Sequence, residues 1–378
     1  MNSIFIFLFL ALFPLGQIIR IGILQPIDVV VGLAAFYAIF KRLPRPGVFK
    51  YFQNILLIFS FSWLFGAILF KQTEVFYGLL YLVRLSAYFY FFIYVWNFAK
   101  KSSKNKNLLL DSSLGISIIS AIFGWIQLFN FPDLKPFFVW GWDMHLFRLV
   151  GTFLDPAFLG LIIVLGLILA MHRYIVNKKT GYLLTSLFLL VSLAFTYSRA
   201  SYLAFLVGIG YLLYAKRKIG YIIYSVLILG ALIFILPTTR NHSIEFFRSF
   251  SAIARIENYQ TTLKIFSKSP VFGIGYDNIC LAYQKYIGPQ SFSSHSCSGA
   301  DSSLLFVLAT TGAAGLMAFI YSLLRIASSL KRDTNFLVLS ASFWALAVHS
   351  LFSNSLFYPW IMGFILILLA TTTLRSEI

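Results

Sequence analysis

Arg84 stands well inside an unbroken apolar run, in Tyr81-Leu-Val-Arg84-Leu85. A permanent charge is expensive at such a position, so it marks either a functional site or a side chain that snorkels to the interface. Arg148, Arg199 and Arg255 lie at the edges of apolar runs or between them. A planar guanidinium fork grips phosphate or carboxylate oxygens in pairs. His295 offers an imidazole, whose ordinary pKa near neutrality suits proton transfer. The carboxylates available outside the runs include Asp143, Asp155, Asp277 and Asp301. None falls in a His-x-x-x-His or Asp-x-Asp spacing, so no metal site is expected. Asp155, just before Pro156, reads as an orienting partner for an arginine or as a helix N-cap. Gly273-Ile-Gly275 does not complete a Gly-x-Gly-x-x-Gly fingerprint and reads as turn chemistry. The two cysteines, Cys280 and Cys297, both fall in one polar segment. A disulfide between them would contribute at most about 3 kcal/mol; two free thiols are the alternative.

The elements that must position these groups follow from composition. Of 378 residues, 60% are hydrophobic and only 11% charged, whereas a soluble domain carries about 25% charged residues. That balance excludes a soluble globular enzyme, a disordered protein and a disulfide-rich secreted module. A bilayer span needs about 20 mostly apolar residues. Twelve runs qualify, roughly 3–19, 23–40, 51–70, 75–99, 108–130, 156–176, 181–197, 200–215, 219–237, 302–324, 336–353 and 357–374. No Lys or Arg precedes Arg20, so the first run reads as a retained span and not as a cleaved signal.

The net charge of +18 is unevenly distributed. Segments after even-numbered runs, with the tail, hold 18 of the 30 cations and three acids, Asp111, Asp333 and Glu377. Cation-rich short loops stay cytoplasmic, so both termini are expected in the cytoplasm. Topology thus explains the charge, and no nucleic-acid partner is needed. Two opposite-side segments are too long to be turns, about 131–155 and about 238–301. In the second, Phe246, Phe250, Ile253, Ile256, Tyr259, Leu263 and Phe266 recur at steps of three and four. That spacing predicts an amphipathic helix lying on the membrane or capping the bundle. The expected fold is all-α: one polytopic transmembrane helix bundle over 1–378, about 12 spans, with a long exoplasmic loop containing short helices.

Several of these segments resemble one family. Arg148-Leu-Val-Gly-Thr-Phe-Leu-Asp-Pro156 looks like the Arg-x-x-Gly-x-Phe-x-x-Pro signature of the O-antigen ligase and O-antigen polymerase superfamily. Tyr197-Ser198-Arg199 resembles its Ser-Arg turn, and Arg255 with Pro270-Val-Phe-Gly273-Ile-Gly275 its Arg…Pro-x-x-Gly-x-Gly loop. His295, ahead of Thr311-Gly312-Ala-Ala-Gly315-Leu316, resembles its histidine loop and the Gly-x-x-Gly-Leu span; His349-Ser-Leu-Phe352 and Pro359 also look familial. Ala157 stands where members commonly have Asn, and Ser296 to Asp301 intervene where members have His-Asn.

The resemblance implies glycan transfer from a polyprenyl-diphosphate carrier to an acceptor hydroxyl, at the outer face of the cytoplasmic membrane, for surface polysaccharide or lipopolysaccharide assembly. Arg148, Arg199, Arg255 and Arg84 are the expected diphosphate ligands, with Arg199 also catalytic. His295 is the expected base, and Asp155 and Asp301 are orienting groups. The expected partners are the lipid-linked glycan donor, a glycan, lipid or protein acceptor, and membrane lipids. No cofactor is expected. The bland alternatives are snorkelling for Arg199 and Arg84, an ordinary loop cation for Arg148, a solvated helix face for Arg255 and an exposed loop histidine for His295. His172 and His349 read as structural. A polytopic transporter of lipid-linked glycan or small solute is the alternative function, although no internal repeat is visible.

Overall fold

The computed structural model of the chain describes residues 3–20, 24–140, 144–235, 249–289 and 299–374. Among the described residues the structure is helical throughout, with only two isolated bridge pairs and no strand. Each apolar run holds one helix. In chain order these are α1 (Ile4–Leu12), α2 (Pro26–Phe40), α3 (Phe49–Leu69), α4 (Gln72–Ala99), α5 (Ser103–Asn130) and α6 (Pro156–Asn177). After them come α7 (Thr180–Phe195), α8 (Arg199–Ala215), α9 (Ile219–Ile235), α12 (Ser303–Ser328), α13 (Thr334–His349) and α14 (Pro359–Thr371). The long segment between α9 and α12 carries α10 (Ser249–Phe266) and α11 (Ile279–Tyr286). Helices α3, α4, α5, α6 and α12 are long and apolar enough to cross a bilayer alone, and the other runs hold shorter apolar helices. The chain is an integral membrane protein.

Helix α6 is the axis of the bundle. Every residue from Leu159 to Ala170 is buried, against α5, α7, α8 and α13. A helix apolar on all sides belongs at such a centre or against lipid. The lipid-facing case is α9, where Phe234 and Ile235 are exposed and only Ser225 and Leu229 are buried. Starts are written locally: Pro opens α2, α6 and α14, and Ser198, Ser302 and Asp333 cap α8, α12 and α13.

Two sequence expectations change here. The run 302–324 reads as one continuous span, and Gly273-Ile-Gly275 as turn chemistry with no partner in view. In the structure α12 is broken at Gly312, with φ 70° and ψ −177°, and the glycine segment docks into the break. Ile274 N and Gly275 N donate to the Ala309 and Thr310 carbonyls at 3.1 and 3.0 Å. Ala313 N and Ala314 N donate to the Pro270 and Val271 carbonyls at 2.9 and 3.3 Å. The Ser62 hydroxyl adds a fifth bond, to the Thr310 carbonyl at 2.6 Å. Irregular backbone among membrane helices persists only where protein satisfies its polar groups, and this segment does so for α12.

Candidate functional site

The Arg148–Pro156 stretch is held against the ends of several helices. Gln127 Oε1 accepts from Val150 N and Gly151 N at 3.0 and 3.1 Å. Thr152 Oγ1 donates to the Pro14 carbonyl at 2.7 Å, and Gln17 N donates to the Thr152 carbonyl at 2.8 Å. Phe153 is fully buried beside Phe13 and Trp360. Gly151 has φ +57° and packs on the Gly124 backbone, a conformation and an approach that a side chain would oppose. Asp155 accepts from Ala157 N at 2.6 Å and Phe158 N at 3.2 Å, so it caps α6.

This scaffold aims Arg148 at the α7–α8 turn. Its Nη2 donates to the Tyr197 carbonyl at 3.3 Å, two residues before Arg199, while Leu149 N donates to the Phe195 carbonyl at 2.9 Å. Tyr197 takes φ 50°, which turns the chain sharply enough to start α8 at Arg199. Arg255, on α10, lies close enough for its charge to act on both Arg199 and His349. All three arginines are half-buried. Burial also pushes the Tyr259 hydroxyl of α10 above its ordinary range, with the Arg255 charge opposing that and Asp301 reinforcing it.

Two further contacts fix α10. Tyr259 donates to the Leu351 carbonyl, and Asp301 N donates to Asn258 Oδ1 at 2.9 Å. His349, which reads as structural in the sequence, is fully buried here. Its Nε2 lies 3.3 Å from Ser201 Oγ and its Nδ1 2.6 Å from Ser355 Oγ. It ties α13 to the first turn of α8 and to the segment before α14. The spacing of His349 from the other motifs gave no sign of this link, because the fold and not the sequence brings these turns together.

The structure therefore gathers Arg148, Arg199 and Arg255 around one turn, with Asp155 and Asp301 holding the elements that carry or flank them. Arg84 stands apart. Its Nη2 lies 2.9 Å from Asp28 Oδ2, and both side chains are nearly buried. Gln25 N and the Tyr88 hydroxyl also donate to Asp28, at 3.0 and 3.3 Å. Asp28 escaped the sequence reading, although it is the one acid in the 23–40 run. A lone acid and a lone base in two apolar runs is the signal that pairs them. His295 and Cys297 lie outside the described residues, as does Asp143. Among the described residues no group of three or more His, Cys, Asp and Glu could hold a metal ion.

Arg84 lines a cavity of about 530 Å3 together with Tyr81, Tyr276, Asp277 and Asn354. Burial pushes the Asp277 carboxyl from 3.8 up to about 8, although the Arg84 charge pulls the other way. The folded state then binds this proton more tightly than the unfolded chain. Its stabilising share is complete below pH 3.8, falls as pH rises, and is gone above about pH 8. In detergent, wild-type unfolding temperature is expected to decline between about pH 5 and pH 8, and Asp277→Asn to flatten that slope. An unchanged slope in the variant contradicts the assignment.

Cys280, on α11, is disulfide-bonded, and Cys297 is the only other cysteine in the sequence. Thiol labelling of the folded protein is expected only after reduction, with a stability loss of at most about 3 kcal/mol. Equal labelling with and without reductant sinks this expectation.

Comparison with known proteins adds one match. Residues 184–320 match the family described as O-antigen ligase, a stretch that includes the Tyr197-Ser198-Arg199 turn, Arg255 and the docked glycine segment. No curated protein matches the chain.

Proposed function

We propose a specific reaction, supported by the match of residues 184–320 to the O-antigen ligase family, which points to glycosyl transfer in surface-polysaccharide assembly. The protein moves a glycan from a polyprenyl-diphosphate carrier to an acceptor hydroxyl at the outer face of the cytoplasmic membrane. The twelve apolar helices cross the bilayer with both termini inside, as the cation-rich short loops require. The observation that carries the reading is the meeting of Arg148, Arg199 and Arg255, from three separate segments, around the 197–199 turn.

In the reaction the acceptor oxygen attacks the anomeric carbon of the donor. A new carbon–oxygen bond forms, the bond from that carbon to the diphosphate oxygen breaks, and the acceptor proton passes to a base. The arginines compensate the negative charge that grows on the departing diphosphate. Donors fixed before the reaction act more strongly there than water does, because they need no reorganisation. Arg199 opens α8, so the positive dipole end of that helix adds to the same field. His295 is the base in this reading, since an imidazole titrates near neutrality. Asp155 and Asp301 act through position, one by capping α6 and the other by its backbone bond to Asn258 on α10.

Deleting the gene and profiling lipid-linked glycans tests this. Accumulated short repeats support polymerisation, and accumulated full-length chains support ligation to a lipid or protein acceptor. An unchanged carrier-linked pool contradicts both.

A further inference from the structure

The cavity beside Arg84 is not used by the proposed diphosphate grip, and its chemistry differs from an anion site. Its one arginine is already neutralised, 2.9 Å from Asp28. Among the described residues, a diphosphate arriving there would meet no uncompensated cation and would face the Glu74 carboxylate. The walls instead offer tyrosine rings of α4, from Tyr77 and Tyr81, next to amide and carboxyl groups. Asn354 lines the cavity, and its Oδ1 is buried with no hydrogen-bond partner among the described residues. A buried acceptor left unpaired is costly, and an arriving hydroxyl donor would relieve it. Burial favours the protonated form of Asp277 near neutral pH, which makes it a second uncharged polar group. At about 530 Å3 the space lies within the range of small-molecule sites.

We propose that this cavity binds a neutral sugar unit of a glycan, stacked on Tyr81 with hydroxyls bonded to Asn354 and Asp277. The placement fits the reaction. Asn354 precedes Ser355, whose hydroxyl is bonded to His349, and His349 feels the Arg255 charge. One short segment thus joins the cavity wall to the histidine that feels Arg255, and in the glycosyl-transfer reading this links a sugar held here to the reacting group. The inference rests on the glycosyl-transfer reading, and the bound unit belongs either to the donor or to the acceptor.

The test uses full-length protein in nanodiscs and a panel of photoreactive methyl hexosides and N-acetylhexosaminides. Mass mapping is expected to find adducts on α4 or on residues 276–278. Excess neutral monosaccharide should suppress them and inorganic pyrophosphate should not. Tyr81→Ala and Asn354→Ala should each cut labelling by about tenfold, with Tyr81→Phe within about twofold of wild type. Labelling by no member of the panel, adducts elsewhere, or equal competition by pyrophosphate overturns the proposal. The competition arm needs no variant, so misfolding of a variant does not blunt it. The readout needs no turnover either. A protein that labels but does not transfer contradicts the transferase reading alone, and one that transfers without labelling contradicts the cavity proposal alone. In active protein, a KM raised by Tyr81→Ala for one substrate identifies whether donor or acceptor supplies the sugar.

Discussion

Arg199→Ala is expected to lower glycan transfer by about 10²- to 10³-fold, the usual effect of removing one fixed donor from a developing negative charge. Arg255→Ala is expected to fall in the same range. The double variant should lose much less than the product of the two, because groups acting on one charge are not additive. Arg199→Lys should restore only part of the rate, since an ammonium keeps the charge but loses the bidentate fork. Stability should move the other way. Arg199 and Arg255 act on each other as like charges in the ligand-free protein, so Arg255→Ala relieves that repulsion and should leave the unfolding midpoint unchanged or raise it. Single-turnover transfer in proteoliposomes, paired with unfolding midpoints in the same lipid, separates the two effects. A variant that keeps full transfer rules its arginine out of the site. One that loses transfer only in proportion to its folded fraction shows a structural role instead.

The second large effect is expected at Gly312. Its φ of 70° and ψ of −177° fall in a region that is essentially reserved for glycine. An added Cβ there would stand 2.2 Å from the Val271 carbonyl oxygen, inside the segment that satisfies the broken α12. Gly312→Ala therefore combines backbone strain with a steric clash, and together these cost about 3 kcal/mol or more. The variant should accumulate poorly, or unfold well below wild type, without any change in the arginine group itself. Gly115→Ala is the control. Gly115 lies on α5 with nothing within 4 Å of the added Cβ, and alanine in a helix interior should be neutral or stabilising by about 0.5–1 kcal/mol. If Gly312→Ala matches that control, the docked segment is not what holds the break.

These two positions show how unevenly the sequence reveals the molecule. Each apolar run could be placed because hydrocarbon demands continuous apolar length, and each contains a helix. The steps of three and four around Ile253, Ile256 and Leu263 marked α10 for a related reason, since a helix period is local. Local patterns do not show what meets across the bundle. Gly312 came to attention only as part of a span motif, and its partner segment lies 37 to 42 residues earlier, at 270–275. The Arg84–Asp28 pair joins α2 to α4 across 56 residues, and only the cost of each lone charge hinted at it. His349 reaches Ser201 across 148 positions, and no spacing rule links them. Arg148, Arg199 and Arg255 came to attention through motif resemblance, and the fold adds that they share one turn. His295, the expected base, is outside the described residues, so its role rests on the resemblance and on imidazole chemistry.

Cleavage of the carrier is the central claim, and reconstitution tests it most directly. Purified protein in proteoliposomes would be given a polyprenyl-diphosphate-linked glycan and a hydroxyl acceptor, with both products measured. The account predicts that glycan appears on the acceptor as polyprenyl diphosphate is released in equal amount, and that both signals fall together in Arg199→Ala and Arg255→Ala. Movement of intact lipid-linked glycan across the bilayer, with its diphosphate bond unbroken, would contradict the account and identify the protein as a transporter.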